Sequence, residues 1–223
     1  MMTMRLPVWA RAVALGGALA TSGCAFSDLR VSPPPGPMGA TSGAGARRAV
    51  FVAGLVDRRP NGPRCGMQKN MYNMDTANVH CTEDPAVAMT RLLITELAAG
   101  GFVVNQGTPG PESVILEGAL LQFFVEPKVG VFTFTPEADI HIALHARTAS
   151  GLAADRSFYV KGEETSMAGL ESNFQKAAEA ATRHIVLDMA GAVLSLFDRF
   201  PGLGDALPPP DAWHLPAQER RPS

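Results

Sequence analysis

The residues best suited to chemistry gather between Arg58 and Glu83. Met67, Met71 and Met74 follow at spacings of four and three, with Asn70, Tyr72 and Asn73 among them and His80 beyond. Thioethers beside an imidazole are soft ligands of the kind that select copper(I). Methionine is equally the side chain that covers a core edge or forms an adaptable contact surface. Cys65 and Cys81 bracket the stretch, and Arg58 and Arg59 precede it. Both thiolates with His80 could hold a metal, but only one histidine is close by, so a disulfide is expected in an oxidising compartment. Closing a loop of this length would contribute roughly 3 kcal/mol in the chain-entropy account. Structureless loops of such length are uncommon and tend to be functional or stapled. Arg58, Arg59, Met67, Asn70, Met71, Tyr72, Met74 and His80 are therefore the candidate binding residues, with no resident metal or cofactor expected.

Other titratable residues are less convergent. His141 and His145 alternate with apolar neighbours and share a side with Asp139 and Arg147. Four positions along a strand span about 13 Å, too far for one ion. His184 and Asp188 stand one helical turn apart and suit a surface pair. No Gly-rich phosphate loop, His-Glu-x-x-His, Gly-x-Ser-x-Gly or Ser-x-x-Lys occurs. No catalytic residue is assigned, and an enzyme is not expected. Nineteen basic against 21 acidic side chains give a formal charge of −2 without a basic stripe, which disfavours a nucleic-acid partner.

These residues need elements to position them. Residues 49–56 (AVFVAGLV) form a continuous apolar run that suits a strand covered on both faces. Asp84-Pro85 opens a helix whose Ala86, Met89, Leu93 and Leu97 share a face, and Gly100-Gly101 stops it. Residues 102–104 follow as a short strand and 113–125 as a longer one, bounded by Pro111 and Pro127. In the second half of 131–148, Ile140, Ile142, Leu144 and Ala146 alternate with polar residues, the period of a half-buried antiparallel strand. Ala149-Ser150-Gly151 turns the chain, and 154–162 returns with Phe158 and Val160 toward the core. A long helix over 168–197 carries Leu170, Phe174, Ala178, Ala181, Ile185, Met189, Val193 and Leu196 along one stripe. The fold class is α+β: one two-layer domain, 49–199, of order β-α-β-β-β-β-α, with about five mainly antiparallel strands packed by two helices.

The two ends read differently. Arg5 and Arg11 precede an uncharged, largely apolar run over 12–20, the layout of a signal peptide and too short to span a bilayer. Thr21-Ser22-Gly23-Cys24 resembles the lipobox of bacterial lipoproteins, with Thr21 at the place that usually holds Leu. The resemblance implies a signal peptide over 1–23 and lipid attachment at Cys24. Ala25 lacks the Asp that retains such proteins at the inner membrane, so it favours the outer one. Several acyl chains would anchor the protein stably where one would not. Residues 24–48, rich in Pro and Gly, read as a tether, and a flexible chain of about that length reaches roughly 25 Å. Residues 200–223 read as a disordered tail.

A signal, a candidate lipidated cysteine and a strand ending in Asp57-Arg58-Arg59 lead into a helix stopped before Gly101-Phe102-Val103-Val104. An Ala138-Asp139-Ile140 strand, a Gly turn, an aromatic return strand and a long last helix complete the order. This order resembles the YajG-like lipoproteins of the bacterial cell envelope across nearly the whole exported chain. The resemblance implies an α+β fold, an outer-membrane address and no accepted activity; the body is expected to face the periplasm. The long Cys65–Cys81 loop and the extended tail depart from it. The expected function is a non-catalytic envelope lipoprotein that binds a protein partner as a structural or assembly module. The alternative is a small-molecule or copper-binding lipoprotein using the 58–83 loop.

Overall fold

The structure, a computed structural model, describes residues 27–39, 43–110, 113–131, 133–164, 171–200 and 203. The expected signal peptide, Cys24 and nearly all of the expected tail lie outside the described residues. The strands are β1 (Leu29–Val31), β2 (Ala49–Asp57), β3 (Arg64–Lys69), β4 (Asp75–Cys81), β5 (Val103–Asn105), β6 (Val114–Val129), β7 (Phe134–Arg147) and β8 (Ala153–Glu163). The helices are α1 (Pro85–Ala99) and α2 (Glu171–Arg199).

The sheet is organised around β6. One edge of its first half pairs in parallel with β2, from Val50↔Val114 to Asp57↔Leu120, and β5 continues outward in parallel from β2. Its second half meets β3 at Gly66↔Val125, and β4 and β1 follow outward. The other edge pairs antiparallel with β7 along almost its whole length, and β8 closes that side. The sheet is thus mixed and has eight strands among the described residues, where about five mainly antiparallel ones were expected. The additional strands come from short polar segments that need only one apolar row. In β4, Ala77 and Val79 are buried while Asn78 and His80 stay partly exposed.

The helices occupy one face. Asp84 caps α1, its carboxylate accepting from the N–H of Ala86 at 2.8 Å and Val87 at 3.4 Å. Ala86, Met89, Leu93 and Leu97 are buried as their spacing predicts. The long α2 lies against β7 and β8, with Phe174, Ala178, Ala181, Ile185, Met189 and Val193 in the core. At 29 residues it is long and apolar enough to cross a membrane, yet its apolar stripe packs on the sheet.

The segment expected as a tether is partly built into the domain. Leu29 and Val31 are buried in β1. Ser32 exchanges two hydrogen bonds of 2.8 Å with the Gln175 side chain on α2. Further on, Glu96 of α1 accepts from the N–H of Met38 at 2.5 Å and Gly39 at 3.1 Å. These bonds carry the Pro-rich stretch across the helical layer and satisfy backbone groups that a free tether would leave to water.

Candidate functional site

The segment read from sequence as a structureless loop over 58–83 is instead a β-hairpin, β3 and β4, with a tight tip. Cys65 and Cys81 are joined at its root, as expected, with Cα atoms 5.5 Å apart. Arg59 is buried beside that bridge, its side chain only 3% exposed. Its Nε and Nη2 donate to the Asp57 carboxylate at 3.0 and 2.9 Å, and its Nη1 to the Arg64 carbonyl at 3.1 Å. The side-chain bonds from Arg59 lower the Asp57 pKa against the opposing effect of burial. Arg59 is therefore a staple within the fold and not a group presented to a ligand, contrary to its place in the expected binding set. Arg58 is exposed, and its N–H bonds the Leu120 carbonyl at 2.9 Å.

Asn70 builds the tip. Its Oδ1 accepts the N–H of Tyr72 at 2.9 Å and of Met74 at 3.1 Å, and its own N–H donates to the Met74 carbonyl at 2.9 Å. Asn73 takes a left-handed φ of 60°, which asparagine tolerates better than most residues. This frame displays Met71, Tyr72 and Met74, which are 75%, 83% and 57% exposed. Met67 sits half-buried in β3 opposite Asn78. His80 lies at the root, its Nε2 3.1 Å from the Asp28 carboxylate.

The expected convergence of Met67, Met71, Met74 and His80 is not found. Met74 and His80 are six positions apart in extended chain, about 20 Å at strand rise. Among the described residues no group of three or more His, Cys, Asp or Glu side chains forms a metal cage. His184 and Asp188 are exposed on α2, and no ion pair between them is found among the described residues.

The second region is the face of β6, β7 and β8 turned away from the helices. His141 and His145 share it, as their alternation predicts, and each bonds a partner on β8. His145 Nδ1 lies 2.6 Å from Asp155, and His141 Nε2 lies 2.7 Å from Ser157 Oγ. The Tyr159 hydroxyl donates to Asp139 at 2.6 Å, which raises its pKa. Glu137, its side chain 6% exposed, accepts from both Lys128 and Lys161. Burial alone would raise its pKa, but the two ammonium bonds outweigh it and hold the carboxyl at about 2. The same bonds raise both lysines.

Two concavities border this face. Gly118, Ala119 and Ala143 form the floor of a depression of about 490 Å³ beside His145, Asp155 and Ser157. A wider groove of about 970 Å³ lies between the hairpin tip and the β6–β7 turn, with Met71 and Tyr72 on one side and Val131 on the other. Sequence reading found His141 and His145 but missed Lys128, Glu137 and Lys161. The signal was present, because the alternation continues from Asp139 back to Glu137 and along Ser157, Tyr159 and Lys161.

This architecture can be set beside known proteins. No family model and no curated protein matches the chain. Its fold is similar to that of a solved bacterial protein. That protein is XCC0632 of Xanthomonas campestris, assigned to the family model DUF330, at TM-score 0.57 and 14% identity, covering 78% of this chain and 98% of the other. At that identity the likeness bears on the fold alone. An uncharacterized protein aligns over 75% of this chain and 90% of its own at TM-score 0.38 and 11% identity. A minor lipoprotein of Acinetobacter baumannii aligns over 69% of this chain and 99% of its own at TM-score 0.34 and 11% identity. Neither of these two TM-scores is high enough to carry an argument.

Proposed function

We propose that the chain is a non-catalytic bacterial cell-envelope lipoprotein, anchored through Cys24, whose helix-free sheet face binds a protein partner in a structural or assembly role. The observation that carries this reading is the one-sidedness of the sheet. Both helices pack on one face, and the opposite face of β6–β8 offers a small-residue floor beside the hydrogen-bonded His145 and Asp155. Cross-strand hydrogen bonds from His145 to Asp155 and between His141 and Ser157 order these polar side chains, which reduces the side-chain entropy a partner must remove on docking. The lipobox-like Thr21-Ser22-Gly23-Cys24 supports the anchor. The resemblance to YajG-like lipoproteins and Ala25 after the cysteine support an outer-membrane address. The copper alternative loses its support, because the hairpin separates His80 from Met71 and Met74.

Crosslinking in intact cells tests the reading. The native protein should give one defined adduct, and Ala143→Arg, which fills the depression with a long cation, should lose it at unchanged thermal stability. An adduct indifferent to Ala143→Arg, or no adduct at all, would remove the sheet face as the binding surface.

A further inference from the structure

The described strand nearest Cys24 in sequence is β1, at Leu29–Val31. β1 runs parallel to β4, pairing Leu29 with Val79 and Val31 with Cys81, so the chain before Leu29 heads toward the hairpin tip. Two bonds pin this approach: Gln68 Nε2 donates to the Ser27 carbonyl at 2.6 Å, and the Asn78 N–H donates to Asp28 at 2.9 Å. Gln68 belongs to the last pairing but one before the turn, with only Lys69↔Asp75 beyond it. Cys24 precedes Ser27 by three residues, a covalent reach of at most about 10 Å. The candidate lipid is thus tied to the end of the domain that carries Met71, Tyr72 and Met74.

The same end carries more apolar surface. The β6–β7 turn, closed by the Gly130 N–H on the Thr133 carbonyl at 2.9 Å, displays Val131 at 81% exposure across the shared groove. Four of the eight large hydrophobic residues exposed among the described residues therefore sit at this one end. A concentration of this kind marks a contact surface. Tyrosine and methionine at loop tips also suit the boundary between headgroups and acyl chains, where an aromatic ring keeps its hydroxyl wet. The rim holds both signs, Lys69 with Glu126 and Lys128 with Glu137, so anionic lipid is not what it selects.

We propose that this end docks onto the bilayer, with Met71, Tyr72, Met74 and Val131 entering the interface as an apolar footprint beside the lipidated cysteine. The inference rests on the anchor at Cys24 proposed above. It replaces a body swinging on a long tether with one seated against the membrane, its helix-free sheet face standing away from the tip and open to a partner.

Bromolipid quenching of the full-length protein in phosphatidylcholine vesicles tests it. Tyr72→Trp, Val131→Trp and His184→Trp are each placed in a Trp213→Phe background; the other tryptophan, Trp9, falls in the signal segment. Tip tryptophans should shift to the blue and be quenched about twofold by brominated acyl chains, as for side chains seated at the acyl boundary, while His184→Trp stays unchanged. Tip tryptophans as solvent-exposed as His184→Trp overturn the docking. A blue shift without quenching also overturns it, because a second copy or another protein then covers the tip. Intact mass of the same samples reads the anchor separately. An unlipidated chain still quenched at the tip removes the anchor and keeps the footprint; a lipidated chain with an unquenched tip does the reverse. Neither lipid nor quenching removes both.

Discussion

Arg59 and Cys65 meet at the root of the hairpin, with the guanidinium Nη1 3.4 Å from the bridged sulfur. The same side chain grips Asp57 at the end of β2 and the Arg64 carbonyl at the start of β3. One buried cation thus ties two strands that both pair with β6. Charge-assisted bonds of this kind contribute more than neutral ones, and removing one partner leaves the other without its match. Arg59→Ala should lower unfolding free energy by about 2 kcal/mol, and Arg59→Lys should recover only part because lysine cannot bond in a fork. Urea denaturation with an unchanged midpoint for Arg59→Ala would contradict the staple.

The bridge beside it acts through the unfolded chain. Cys65 and Cys81 are 16 positions apart, and freeing a loop of that size should cost about 3 kcal/mol. The Cys65→Ser/Cys81→Ser double variant should show that loss by calorimetry or denaturant. The tip should remain formed, because Asn70 organises it by local hydrogen bonds. Tryptophan emission from Tyr72→Trp in the double variant reads the tip directly, and disorder there would show that the bridge also shapes it.

Glu137 makes stability depend on acid pH. Its carboxyl is held at about 2 against an ordinary 4.5, so its folded-state pKa lies below its unfolded one. The stabilisation is then fully present above about pH 4.5 and is lost as pH falls toward 2. From pH 5 to pH 2.5 this group should account for about 2 kcal/mol of lost stability. Glu137→Gln should be less stable than the native chain at pH 5 and converge with it near pH 2.5. Parallel unfolding curves at every pH would show that the two lysine bonds contribute nothing net.

The helices and long strands were legible because their apolar residues repeat at the period of the element that buries them. Met89, Leu93 and Leu97 on α1, and Ile140 and Ile142 on β7, needed no tertiary information. Of the short strands, β5 was expected at 102–104 and is found at Val103–Asn105, whereas β1, β3 and β4 were not legible. β3 and β4 keep polar residues, such as Asn78 and His80, partly exposed on one face, so their local composition resembles a loop. β1 exists because Leu29 and Val31 find an apolar row on β4 that lies 50 residues away in sequence. The spacing of Met67, Met71, Met74 and His80 suggested a cluster. A hairpin turn places three at different heights from the fourth, a geometry that spacing alone does not contain. The alternation along β7 and β8 placed Glu137 and Lys161 on one face, but their meeting with Lys128 of β6 was not legible, because only the strand register aligns the three.

Gly162 shows how closely the two layers approach. A Cβ built there would lie 2.3 Å from the Ala177 carbonyl oxygen and 2.5 Å from the Ala181 nitrogen, both on the backbone of α2. Neither contact can be relieved by rotating a side chain, so α2 must move away from β8 to admit even a methyl group. The helix carries much of the core, including Phe174, Ile185 and Met189, and a shift would loosen contacts along it. Gly162→Ala should therefore cost about 2 kcal/mol, and Gly162→Val more, as expected for overpacking a close-packed interface. Glycine is ordinarily a weak strand residue, so on strand propensity alone the same substitution would stabilise β8. The sign of the change in thermal midpoint decides between helix contact and strand propensity: a rise for Gly162→Ala would mean that the layers are not in backbone contact at this point.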